Sequence, residues 1–131
     1  MMLVDAPHCP PIVSVDWLAL SCCLAHPYDG APFEVPNGWS VLTMGETPAW
    51  LKRFFIMDEL GNKVATILTE PRMASMDRRR ALVEIANRWL YHPALETYVD
   101  AVLTSYPMAV DGVNRVDLCA DFEMSKSLWE V

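Results

Sequence analysis

The sequence predicts an α+β domain, a mainly antiparallel sheet with one principal helix, Ala94 to Tyr106, placed before the last strand. Three observations predict it. Short segments alternate side chains at a period of two and are separated by turn-forming residues. One segment carries a helical stripe, with Leu95, Tyr98, Val99, Val102 and Leu103 at i, i+3, i+4, i+7 and i+8. The chain has 131 residues, of which 53% are hydrophobic, enough for a real core in one domain without disulfides or metals.

Residues 1–11 hold three prolines and read as an irregular arm. Ile12 to Ala19 then reads as a strand, with Val13, Val15, Trp17 and Ala19 forming an apolar face. His26 to Pro36 contains Pro27, Asp29-Gly30, Pro32 and Pro36, the chemistry of a loop. A short strand, Trp39 to Met44, is broken by Gly45 to Pro48. Trp50 to Met57 and Val64 to Thr69 form a hairpin around Gly61-Asn62. Arg80 to Tyr91 holds no single period, and its β-branched and aromatic residues favour a strand. Pro93 forbids helix through His92. Helix Ala94 to Tyr106 stops at Pro107, Asp111-Gly112 marks a turn, and Val113 to Phe122 is the last strand, leaving 123–131 as a tail. The expected organisation is one domain, 1–131, with its folded part at 12–122.

Net charge is −7 and the pI about 4.8. The average field of such a chain repels nucleic acid rather than attracting it. No apolar run reaches the ~18 residues of a membrane helix, since Ser14, Asp16 and Ser21 interrupt the most apolar stretch. Residues 1–11 carry no Lys or Arg, so no signal peptide is expected, and the expected compartment is the cytoplasm of a bacterial host cell. Cys9, Cys22, Cys23 and Cys119 fit no zinc spacing and read as free thiols. His8, His26 and His92 read as loop residues, and Tyr98 as core.

The last strand holds the candidate site. One side reads Val113, Arg115, Asp117, Cys119, Asp121, and the other Asn114, Val116, Leu118, Ala120, Phe122. Asp117 and Asp121 sit ~13 Å apart at strand rise, so one ion reaches both only through a bend or a partner strand. A solvated face with an internal Arg–Asp pair is the plainer reading. Arg78-Arg79-Arg80 has two readings as well, contact with a nucleic-acid backbone or a solvated turn.

Several segments in order resemble the phage and plasmid replication initiation factor family. They are Val15-Asp16-Trp17-Leu18-Ala19-Leu20, Ala74-Ser75-Met76-Asp77, Val83 to Tyr91 (VEIANRWLY), and Arg115-Val116-Asp117-Leu118-Cys119-Ala120-Asp121. The resemblance runs from about Val15 to Phe122. It implies rolling-circle initiation, in which a tyrosine attacks a DNA phosphodiester beside a divalent metal, Mg2+ or Mn2+. Residue by residue it implies a metal role for Asp117 and Asp121 and, for Arg115 beside them, a role on the DNA phosphate or in orienting a carboxylate, while Arg78, Arg79 and Arg80 are candidate DNA contacts by their charge alone. The family's nucleophilic tyrosine lies beyond the matched strand. The expectation is therefore an incomplete, N-terminal initiator domain with no catalytic residue of its own and DNA as partner. A competing expectation is a small acidic phage accessory protein, repurposed from an initiator. It would bind and inhibit a host nucleic-acid-handling protein with a basic groove, such as a CRISPR effector or a nuclease. A homodimer through an open sheet edge is a third.

Overall fold

In the computed structural model the backbone is described for residues 12–121 and the side chains for residues 18–113. The proposed arm, Phe122 and the tail lie outside the described residues. Six strands are present: β1 (Ile12–Leu24), β2 (Ser40–Met44), β3 (Trp50–Met57), β4 (Lys63–Pro71), β5 (Arg80–Ile85) and β6 (Met108–Asp121). A single α-helix, α1 (Leu95–Leu103), and a short 3-10 turn, Asn87–Trp89, lie between β5 and β6. The strands form one sheet in the order β2-β3-β4-β5-β1-β6, and every pairing is antiparallel. β2 to β5 are a meander. β1 is inserted between β5 and β6, so β5 and β6 run parallel across it and α1 lies in the crossover.

The α+β expectation is therefore corrected. The fold is mostly antiparallel sheet with one short helix of 9 residues. The apolar stripe was real, but capping shortened the helix. Thr104 Oγ1 donates to the Asp100 carbonyl at 2.8 Å, and Ser105 Oγ donates to the Val102 carbonyl at 2.6 Å. The chain then bends away, burying Ser105 and Tyr106 beside the sheet. Two strands are longer than expected. β1 runs on to Leu24, and β6 begins at Met108 and passes through Asp111-Gly112, where a turn was expected. The ladder absorbs that pair by register shifts between Ala19 and Leu20 and between Ser21 and Cys22 of β1. The expected strand Arg80 to Tyr91 keeps only its first half. After Ile85 the chain turns so that Trp89 Nε1 donates to the Lys63 carbonyl at 2.8 Å.

One face of the sheet is the core. Leu20, Cys22 and Leu24 of β1, Ile56 of β3, Val64, Ala65 and Ile67 of β4, and Ala81, Val83 and Ile85 of β5 are buried there. α1 covers them with Val102 and with Leu95, Tyr98, Val99 and Leu103. The loop after β1 adds Tyr28, Phe33, Val35 and Trp39. Each fully buried aliphatic side chain of this set contributes roughly 1.5–3 kcal/mol. No helix among the described residues is long and apolar enough to cross a membrane.

Candidate nucleic-acid interface

The opposite face of the sheet is set by the same pleat. Cross-strand partners share a face, so register alone writes two rows across it. One row runs Leu42, Phe55, Thr66, Glu84, Ala19, and reaches β6 at Arg115. The next runs Met44, Arg53, Leu68, Leu82, Ser21, and reaches β6 at Gly112. On β5 the faces differ, with Ala81, Val83 and Ile85 buried and Arg80, Leu82 and Glu84 half-buried, whereas Thr66, Leu68 and Ala19 in the middle of the second face are buried as well.

Phe55 stands on this second face between two cations. Lys63 Nζ lies 4.5 Å from the ring centroid and Arg53 Cζ lies 5.7 Å from it. Neither cation has a carboxylate within ion-pair distance among the described residues. Most other described cations are held. Arg72 pairs with Glu46 at 2.6 Å, and Arg79 with Asp77 at 2.7 Å. Arg80 bridges Asp111 and Ser21, and Arg88 donates to Asn62 Oδ1 at 2.7 Å. The Nε of Arg53 is buried with no hydrogen-bond partner among the described residues, as is the Thr69 hydroxyl on the core face.

The sequence-derived candidates separate into two groups. Arg78, Arg79 and Arg80 lie at and before the start of β5. Arg78 donates to the carbonyls of Met73 and Met76, which closes the turn, and Arg79 and Arg80 are paired as above. The hydrogen-bonded Arg79 guanidinium holds the Asp77 carboxyl at about 2, well under its usual value. The run thus matches its solvated-turn reading in geometry. Arg115, Asp117 and Asp121 are placed by backbone register only, opposite Ala19, Trp17 and Ile12 of β1. Their side chains lie outside the described ones. Between Asp117 and Asp121 the extra residue of the register shift, Asp16, belongs to β1. β6 itself is a continuous strand through Asp121. Among the described residues no group of three or more His, Cys, Asp and Glu gathers to hold a metal.

Arg53, Phe55 and Lys63 escaped the sequence reading. A signal existed in the strict alternation of β3, which puts Arg53 and Phe55 opposite Phe54 and Ile56. Lys63 joins them only when the hairpin closes, with Met57 set against it.

Three of the four tyrosines serve the core, and Tyr91 is exposed. Tyr106, 3% exposed, donates from its hydroxyl to Asp29 Oδ1 at 3.0 Å. Burial, followed by that hydrogen bond, raises its pKa. Tyr28 packs against Phe33, Phe54 and Tyr106, with ring centroids 6.2, 5.3 and 5.7 Å away. Tyr98 packs on Trp89 at 4.5 Å and on Trp39 at 5.4 Å. His92 stacks on Tyr98 at 5.5 Å and accepts the Ala94 amide, a structural use. A buried phenol with a raised pKa is a poor nucleophile.

The chain matches no protein-family profile, no curated protein and no solved structure.

Proposed function

We propose that this chain is a DNA-holding domain of the replication-initiator type, one that positions DNA at the β3 end of the second face of its sheet, around Phe55, and does not nick it alone. The observation that carries the reading is the pair of cations on that face, Arg53 and Lys63, with no carboxylate at ion-pair distance among the described residues of a chain of net charge −7. Ordered likeness of four segments to the initiator family adds to it, as does the use of Tyr28, Tyr98 and Tyr106 as packing residues. Arg115 enters at the β6 end of the Phe55 row.

The test is DNA binding at low salt, read by fluorescence anisotropy. The double variant Arg53→Gln, Lys63→Gln should lose most of its affinity, and Arg79→Gln should keep it. Wild-type protein that ignores DNA, or a double variant that binds as well as wild type, sinks the reading. A covalent protein–DNA adduct formed with Mg2+ or Mn2+ would overturn its non-nicking half.

The charge favours a second reading, an acidic protein that occupies the basic groove of a host nucleic-acid-handling protein. Arg72, Arg79 and Arg80 are each paired with one carboxylate, and the excess of acidic residues gives the chain its net charge of −7. Salt-sensitive capture of such a protein, with no affinity for DNA, is its expected signature.

A further inference from the structure

We propose that Phe55 is a stacking platform for one nucleobase of a single strand, with Lys63 and Arg53 receiving the phosphates on its two sides. This rests on the DNA-holding reading and names the form of DNA it takes. Three features of the face converge. Phe55 is half-buried, so its ring is fixed by the sheet yet open to a ligand. Lys63 covers the ring in the free chain, at 4.5 Å. A lysine on a flexible four-carbon stem is easily displaced, so an arriving base can take its place while the ammonium swings to the adjoining phosphate. Arg53, two residues along the same strand, sets a second cation beside the ring, its Cζ 5.7 Å from the centroid.

The row also sets the size of the site. Beyond Phe55 come Thr66 and then Glu84, a half-buried carboxylate. Glu84 repels phosphate, so a backbone track along that row is closed and the site accommodates about one base. A duplex presents no free base face to Phe55 and carries its phosphates at fixed spacing, so it is the poorer ligand.

The experiment compares three labelled ligands by anisotropy on the full chain: a twelve-residue oligothymidylate, the same strand with abasic sites, and a duplex of equal length. Wild type should prefer the base-bearing strand by about tenfold or more. Phe55→Leu should lose that preference and keep its affinity for the abasic strand, whereas Phe55→Tyr should retain the preference. Arg53→Gln should weaken all three. Equal binding of base-bearing and abasic strands by wild type overturns the stacking proposal and leaves DNA holding intact. Failure to bind any of the three removes both. If Phe55→Leu does not fold, the wild-type comparison decides.

Discussion

Trp89 ties the turn after β5 to the start of β4 through a single donor, its Nε1 on the Lys63 carbonyl. Trp89→Phe should lower stability by about 2 kcal/mol, from the lost hydrogen bond and the smaller ring. Urea denaturation followed by far-UV circular dichroism checks this. The adjacent cysteines offer a second residue-scale test. Cys22 is fully buried, and burial pushes its thiol up to about 11, whereas Cys23 is half-buried on the other face. Iodoacetamide at neutral pH should modify Cys23 and spare Cys22 in the folded chain, as peptide mass mapping would show. That the two point to opposite faces was legible from adjacency in a strand, but which one is inside was not, because it depends on where α1 lies. Asp77 gives the pH dependence. Its folded pKa, about 2, is depressed from 3.8, so its contribution is present above the unfolded value and is lost as pH falls from about 4 toward 2. Both partners of the pair are exposed, so the effect is small. Asp77→Asn should slightly lower Tm above about pH 5, converge on wild type near pH 2, and so flatten the fall across that window.

At the scale of elements, the β3–β4 hairpin was the most legible part of the fold. Its turn chemistry is local, and the structure fills it in. Asp58 Oδ1 accepts the Leu60 and Asn62 amides at 3.0 and 2.8 Å, and Gly61 takes φ of 80°. An added Cβ at Gly61 meets nothing within 4 Å, so Gly61→Ala tests the backbone alone. It should cost about 1 kcal/mol, and Gly45→Ala, equally uncrowded and without a positive φ, should cost less. Paired thermal melts separate the two. The less legible elements are those whose bounds are set at a distance. β1 extends to Leu24 because β5 and β6 are there to pair with Cys22 and Cys23. β6 passes through Asp111-Gly112 because Arg80 of β5 anchors Asp111 across β1. The helical stripe of α1 was plain in the sequence. Its length was not, since Ser105 and Tyr106 are drawn out of the helix by the sheet and by Asp29. The candidate interface was hidden for the same reason, as Lys63 reaches Phe55 only across the closed hairpin.

For the whole molecule, charge and face pull against each other. A net charge of −7 opposes approach to DNA at long range. At a Debye length of about 8 Å under physiological salt that repulsion is screened, and the local cations beside Phe55 decide the contact. The salt dependence of binding reports how many cations take part. Two phosphates, one each at Arg53 and Lys63, release few counterions, so the logarithm of affinity should fall against the logarithm of salt with a slope of about −1.4 for a single strand. Removing one cation, as in Lys63→Gln, should bring the slope to about −0.7. A slope several times steeper would mean a basic track elsewhere on the chain, and Arg115 or the Arg78-Arg80 run would have to supply it. A flat slope that survives both substitutions would mean that stacking alone holds the strand. In the acidic-partner reading the sign of the field is the same but its role is reversed. Salt then weakens capture of a basic protein, and Arg53→Gln with Lys63→Gln strengthens it by making the chain more acidic. Measuring both variants against DNA and against a basic nuclease therefore separates the two readings by opposite directions of change.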